Sequence, residues 1–442
     1  MTSPRAVVAG LGKTGVSVVR FLLRSGWKLT VTDSRTLPPG LDELRQIAPG
    51  LQVSAGRLDE SLLAGADAVV ASPGLPQSDP FFVAARRLGV PVIGDIELFA
   101  RSGAGPVVGI TGTNGKSTVT TLVARMAEKA GRVTRAGGNL APPALDLLDG
   151  APADLYVLEL SSYQLETTQS LRLAAATVLN VTPDHLDRYA DTNAYAAAKA
   201  RIFERATVAV INLDDPIVAS MAMDASQRVT FSLHADAGAD YSLQRHDEED
   251  WLVCRGERAL RVKDLRIVGL HNAANALAAL ALGEALGLAR PAMLAALKEF
   301  PGLPHRSEWV ADVAGVRYVN DSKGTNVGAT LAAVAGFAGP LLLVLGGDGK
   351  NQDFSPLRAA LAGKVKLALL IGRDASRIAD VLKGVCAVQD CASLEEAVVA
   401  AARAAQPGDT VLLSPACASL DMFRDYAHRG EVFAASVRRL AA

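Results

Sequence analysis

The residues with the most chemistry to offer lie in GITGTNGKST, positions 109 to 118, between a β-rich run and the helical stretch TVTTLVARMAEKAG. A loop in that setting turns backbone N–H groups and a helix N-terminus toward phosphate. Lys116 then reaches the terminal phosphates, and Ser117 or Thr118 faces Mg²⁺. Gly112, Thr113, Asn114 and Gly115 make up the rest of the loop. It departs from the common phosphate-loop spelling, since Ile110 stands five positions before Gly115 and the usable glycine is Gly112. The pattern reads as a nucleoside triphosphate site.

Glu159 ends the apolar run YVLEL, and an acid at the carboxyl end of a parallel strand faces the ligand crevice, which makes it a natural Mg²⁺ partner. His185, in TPDHLDRY, offers a second metal ligand or a hydrogen-bond donor, although a lone histidine is more often structural. Lys199, in YAAAKARIF, sits on a helix among small and apolar neighbours, where the bland alternative is a surface lysine lying along its stem. Residue types alone do not choose between these. Nearer the start, GLGKTG at 10 to 15 follows a β-run, and Asp33 ends the next one. That spacing fits an NAD-dependent dehydrogenase, but the same geometry holds any ribose and diphosphate, including a UDP-sugar. A second phosphate loop at Lys116 is not expected of a simple dehydrogenase.

Further polar clusters follow apolar runs late in the chain: Asp321, Ser322 and Lys323 after RYVN, Asp348 and Lys350 after LLLVLGG, and 414 to 419 after TVLL. Strand-end placement puts them on one rim, where a cleft can close over substrates. Arg306 reaches a nucleotide only if the domains close.

The elements needed to position these residues are those of α/β domains. From residue 5, short β-rich runs alternate with helical stretches, the rhythm of a parallel sheet covered on both faces. The first such domain is expected over 1–94 as a Rossmann-like unit. The rhythm restarts at 106, giving a central ATP-binding domain over 95–301 with a β-rich elaboration at 230 to 268 and a long helix from about 272 to 286. FPGLPHRSEW, 300 to 309, carries two prolines and Gly302 and is read as the interdomain joint. A third, C-terminal Rossmann-like domain follows over 302–442.

A chain of 442 residues is long enough for two or three domains, each expected to have its own core. With a net charge of −1 and no clustered basic segment, it is not expected to bind nucleic acid or a membrane surface. Residues 1 to 10 lack the order of a secretion signal, and no apolar run reaches the ~20 residues of a membrane span. A cytoplasmic chain without membrane insertion is therefore expected. Cys254, Cys386, Cys391 and Cys417 are scattered without a CxxC pair and read as reduced packing residues.

GTNGKST, LELSSYQLE, NVTPDHLDRY, HNAAN, GLPHRSE and NDSKGTN together resemble successive active-site segments of the Mur ligase family, across essentially the whole chain. Within it, GDIELF, GGDGKNQDFSPL and SPACASLDMFRDYAHRGEVF resemble the D-glutamate-adding members, and the DNPR-type motif of the diamino-acid-adding ones is missing. The resemblance implies that ATP phosphorylates the carboxylate of UDP-N-acetylmuramoyl-L-alanine and that D-glutamate attacks the acyl phosphate, in peptidoglycan precursor synthesis. It implies two Mg²⁺ ions, held by Ser117 or Thr118, Glu159 and His185, with a carbamate on Lys199 as a further ligand. It places Asn272, Asn275, Arg306 and Asp321 on the ATP side with residues 112 to 118. Thr325, Lys350, Ser419 and Tyr426 fall in the D-glutamate pocket, where the family often has phenylalanine in place of Tyr426. Thr14, Asp33, Ser34, Arg35 and Gly74 match uracil and diphosphate contacts, and Asn139 with His185 lies near the muramoyl part. A monomer is expected. The alternatives are a relative such as folylpolyglutamate synthetase, distinguished by its acceptor; an NAD-dependent dehydrogenase, with no need of Lys116; and a regulatory ATP-binding module without turnover.

Overall fold

The computed structural model describes residues 3–185, 188–221, 226–267, 269–337 and 339–441; Met1 and Thr2 of the N-terminal segment, and Leu186 and Asp187 of TPDHLDRY, lie outside these. Three sheets organise the chain. The first joins β1 (Arg5–Ala9), β2 (Lys28–Asp33), β3 (Val53–Ala55), β4 (Ala68–Ala71) and β5 (Val92–Ile93) in the order 3-2-1-4-5, all parallel. The second has nine strands: β6 (Val107–Thr111), β7 (Thr134–Gly138), β8 (Leu155–Glu159), β9 (Leu173–Val178), β10 (Ala206–Asn212), β11 (Gln227–Ser232), β12 (Tyr241–His246), β13 (Glu249–Cys254) and β14 (Glu257–Arg261), ordered 14-13-12-11-10-9-6-8-7. The third places β15 (Glu308–Val313), β16 (Val316–Asn320), β17 (Leu341–Gly346), β18 (Val365–Ile371), β19 (Ala387–Asp390) and β20 (Thr410–Leu413) in the order 15-16-20-17-18-19.

Central strands such as β6 (VVGIT), β8 (LYVLE) and β17 (LLLVLG) are buried at every position. Helices cover both faces of a parallel sheet, so its strands read as unbroken apolar runs. In each sheet the strand order reverses beside the strand that precedes a polar loop. Ligands collect at such switch points, outside the carboxyl ends of the strands. Around the first lie the loops after β1, β2 and β4. At the second are those after β6, β8 and β9, and the third gathers those after β16, β17 and β20.

The expected three-domain α/β architecture is present, and the β-rich stretch near 230 to 268 extends the second sheet as the antiparallel meander β12–β13–β14. Three features differ from expectation. First, the joint is shorter than 300 to 309, because Glu308 already begins β15, which turns through Ala314 (φ 51°) and Gly315 (φ 78°) to pair antiparallel with β16. The alternating run on either side of that turn is a hairpin signal hidden behind the prolines. Second, β7, TRAGG, forms an edge strand although its composition gives little β signal. Third, the cores are not one per domain. A single cluster joins Val8, Val19 and Val31 of the first domain through Ile96 and Phe99 to Tyr156, Leu158 and Ile202 of the second. Ser17 Oγ adds a 2.6 Å hydrogen bond to Asp146 across the same boundary. Cys254, Cys391 and Cys417 are buried and unpaired. Among the described residues no helix is long and apolar enough to cross a membrane.

Candidate active site

The phosphate loop leaves β6 at Thr111 and enters the helix Lys116–Lys129 through Gly115, whose φ of 85° and close approach to Asn275 exclude a side chain: an added Cβ would lie 2.4 Å from Asn275 Oδ1. No side chain caps that helix, so its first N–H groups point into the cleft, the arrangement that receives a phosphate. Asn180, just beyond β9, holds the loop's shape. Its carbonyl accepts from Thr113 N at 2.9 Å and its side chain from Asn114 N at 2.8 Å.

Lys116 Nζ donates to the carbonyls of Gly112 and Thr113, both at 2.9 Å, and Lys199 Nζ donates to the same Gly112 oxygen at 2.9 Å. Burial lowers the Lys116 ammonium from its ordinary value, against the pull of Glu159. Lys199, on the helix Thr192–Ala200, is 1% exposed, and its Nζ lies 4.3 Å from the Tyr195 ring centre. This corrects the surface-lysine alternative: the small neighbours on its helix pack inward and carry it into the site. Burial first, then the neighbouring Lys116 charge, holds Lys199 well below the usual lysine range.

Ser117 and not Thr118 faces the carboxylate. Ser117 Oγ donates to Glu159 Oε2 at 2.6 Å, Asn139 Nδ2 donates to Glu159 Oε1 at 2.6 Å, and Arg306 Nη2, arriving from the joint itself, donates to Ser117 Oγ at 2.8 Å. A hydroxyl and a carboxylate oxygen beside a phosphate-binding helix terminus are the hard donors that Mg²⁺ takes, the remaining positions going to phosphate and water. His185 adopts φ 56°, its N–H capped by Asp184 Oδ1 at 2.9 Å and its ring edge-on to Tyr163. Burial lowers its pKa, partly countered by Asp184.

Two cavities meet at this loop. One of about 280 Å³ lies against Asn272, Asn275, Thr118, Arg306 and Asp321. Asn272 and Asn275 stand on the first turns of the apolar helix Leu270–Ala285. Asp321 accepts from Ser414 Oγ at 2.8 Å and Ser307 N at 3.0 Å, while burial pushes its carboxyl up to about 6. The other, of about 380 Å³, has Lys116, Glu159, His185 and Lys199 on one wall. Thr325, Lys350, Ser419 and Tyr426 form the facing wall.

The first-domain candidates line neither cavity. Asp33 is buried, with Leu11 N at 2.7 Å and the Arg35 guanidinium at 2.7 and 2.9 Å on its oxygens. Burial alone would raise Asp33, but these bonds hold its carboxyl below the ordinary range. Thr14 is half-buried at the start of the helix Lys13–Arg24, and Ser34, Arg35 and Gly74 are exposed in the loops after β2 and β4.

Sequence reasoning placed Lys323 on the strand-end rim without giving it a role, and passed over Asp184 and Arg429. Lys323 lies 3.9 Å from the Tyr426 ring centre, and burial, then Arg306, pushes its ammonium down to about 8. Asp184, next to His185 in the motif, receives Asn326 Nδ2 at 3.2 Å from the third domain. Arg429 is fully buried and donates to Ser322 O, Ser322 Oγ and Cys417 O, tying the loops after β16 and β20 together. Asp184 was legible as a strand-end polar residue; nothing local marked Arg429.

Comparison with known proteins agrees with this geometry. Residues 4–94 match the family model "Mur ligase MurD-like, N-terminal domain", 110–283 the "Mur ligase middle domain", and 305–417 the "Mur ligase, glutamate ligase domain". The chain is 52% identical over 437 residues to a UDP-N-acetylmuramoylalanine--D-glutamate ligase of Nitrosococcus oceani, covering 98% of this chain and 96% of that one. It is 53% identical over 441 residues to the like-named protein of Methylobacillus flagellatus, covering 99% and 97%. Among solved structures, the UDP-N-acetylmuramate-alanine ligase of Thermotoga maritima superposes with a TM-score of 0.63 at 19% identity, covering 99% of this chain and 100% of that one, a likeness of fold. With all three of its domains matched and its relatives aligned end to end, the chain belongs to the Mur ligase family.

Proposed function

We propose that the chain is an ATP-dependent ligase that forms an amide bond between UDP-N-acetylmuramoyl-L-alanine and D-glutamate through an acyl phosphate, releasing ADP and phosphate. The observation that carries this reading is the cavity of about 380 Å³ in which the phosphate loop of one domain faces the strand-end loops of another. Names and full-length identities of the relatives support the substrates.

In this reading the cavity beside Asn272, Asn275 and Asp321 takes the nucleoside, and the uncapped helix N-terminus takes the phosphates. Lys116 turns from its loop carbonyls to the β- and γ-phosphates, and Arg306 adds a second positive charge where negative charge develops. Ser117 and Glu159 would hold one Mg²⁺, and His185 with a carbamate on Lys199 would hold a second; ions bound there would supply charge neutralisation for the phosphates. As a free amine Lys199 offers no oxygen ligand, but the neutral form favoured by its burial is the one that adds CO₂.

Lys350, Thr325 and Ser419 bind D-glutamate carboxylate oxygens, with Tyr426 closing the pocket. The D-glutamate amine, once deprotonated, attacks the acyl carbon; a tetrahedral intermediate forms and phosphate leaves. Groups C-terminal to the central domain that reach onto it, Arg306 on Ser117 and Asn326 on Asp184, keep water from the acyl phosphate. Residues 1–94 hold the UDP end through Thr14, Asp33, Ser34, Arg35 and Gly74, residues 95–301 the ATP, and residues 302–442 the amino acid. Asn139 and His185 flank the muramoyl part. The protein is read as a cytoplasmic monomer.

The test is phosphate release by the purified protein with Mg²⁺, ATP and UDP-N-acetylmuramoyl-L-alanine, adding amino acids singly. Release and amide product are expected with D-glutamate and not with L-glutamate. Equal turnover with another amino acid, or none with any, overturns the assignment.

A further inference from the structure

We propose that Arg188 is a positioning residue that fixes the 72–76 loop, and with it the nucleotide end of the acceptor, against the reacting centre. The inference rests on reading the first domain as the UDP-sugar site.

Arg188 follows β9 three residues after His185, yet its guanidinium reaches into the first domain. Nη1 donates to Pro73 O at 3.1 Å and Nη2 to Leu75 O at 2.8 Å, the two carbonyls that flank Gly74. The side chain is only 12% exposed, and its guanidinium carbon stands 4.1 Å from the Tyr163 ring centre, with Glu166 Oε2 3.5 Å from Nη2. Tyr163 is itself a wall of the reacting cavity and packs edge-on against His185 at 5.1 Å. One planar group thus joins a first-domain loop to the aromatic wall beside His185.

From the other side the 72–76 loop rests on the glycine loop after β1. A Cβ at Gly10 (φ 93°) would lie 2.6 Å from Ser72 Cβ and 3.2 Å from Leu75 Cδ1. The loop is therefore pressed between GLGKTG and Arg188. The domain boundary already has the shared core and the Ser17 to Asp146 bond, so Arg188 is not needed to keep the domains together. What it adds is register: the offset between the Gly74 loop and the Tyr163–His185 wall. A substrate spanning both needs that offset held, because a misplaced carboxylate loses the benefit of every group around it. A fork of N–H donors can hold two carbonyls and lie flat on a ring at once; a lysine ammonium cannot.

The test compares wild type with Arg188→Ala and Arg188→Lys, full-length, by steady-state kinetics and by titration with UDP. The KM for UDP-N-acetylmuramoyl-L-alanine should rise about tenfold or more in both variants, with the KM values for ATP and D-glutamate within about twofold of wild type. An unchanged acceptor KM overturns the inference, as does a uniform loss in which kcat and all three KM values worsen together. If the alanine variant fails to fold, the lysine variant decides alone. Wild type that fails to bind UDP overturns the first-domain reading; wild type that binds UDP, with acceptor KM unmoved in the variants, overturns only the role of Arg188.

Discussion

Lys116 and Lys199 share one acceptor: both ammonium nitrogens lie 2.9 Å from the carbonyl oxygen of Gly112. Burial first, and then the Lys116 charge beside it, lowers the pKa of Lys199. The pair is relieved when Lys116 turns to phosphate or when Lys199 gains negative charge. Lys116→Ala should therefore lower acyl-phosphate formation by on the order of a thousandfold while leaving UDP binding within about twofold. Single-turnover phosphate release and UDP titration check both halves, and wild-type turnover by the variant removes the phosphate-loop assignment.

A carbamate on Lys199 makes a different demand. Lys199→Ala should lose activity by on the order of a hundredfold or more, because a ligand oxygen is gone and not merely a cation. Added formate, acetate or propionate should restore part of it by placing a carboxylate in the space left. Activity that stays flat across all three counts against the carbamate.

On the amino-acid side, Lys350 stands in a left-handed turn (φ 49°) after β17, which directs it at the cavity. Lys350→Ala should raise the D-glutamate KM by about tenfold to a hundredfold and leave the ATP KM alone, as expected when one charged hydrogen bond to a carboxylate is lost. An unmoved D-glutamate KM takes Lys350 out of the pocket.

Asp95 yields a pH prediction unconnected with catalysis. It opens the helix Asp95–Arg101 at the boundary of the first two domains, fully buried, its Oδ2 accepting from Gln164 Nε2 at 3.0 Å. Burial pushes its carboxyl from 3.8 up to about 6, against the help of Gln164. Between those values the folded chain keeps a proton that the unfolded chain has released, so stability falls as pH rises through that window, by up to about 3 kcal/mol. Asp95→Asn cannot ionise. Its melting temperature relative to wild type should therefore improve between about pH 4.5 and about pH 7.5; parallel curves would mean that Asp95 is ionised without penalty.

Much of this was legible before any coordinates. GTNGKST between a strand and a helix gives the phosphate loop because a glycine turn followed by Lys-Ser leaves few alternatives, and Glu159 stood out as an acid ending an apolar run. Lys199 was harder, since small neighbours on a helix read equally well as exposed or as tightly packed, and only the fold shows the helix turned inward. Arg188 and Arg429 carried no local signal. Their partners are backbone carbonyls 113 and 115 residues away for Arg188, and 12 and 107 for Arg429, which no spacing rule anticipates. The β15–β16 hairpin was missed because the prolines just before it dominated the reading of that stretch.

The apolar cluster that runs from Val8 through Phe99 to Leu158 also bears on how the chain comes apart. Because those side chains bury one another across the boundary, the first two domains cannot melt separately without exposing a common interior, and they should unfold as one cooperative unit. The third domain has its own clusters around Leu343 and Leu413 and is tethered through 301–307. A protease cut in that tether would leave two fragments of unequal size, each with a complete interior, where counting sheets alone would suggest three.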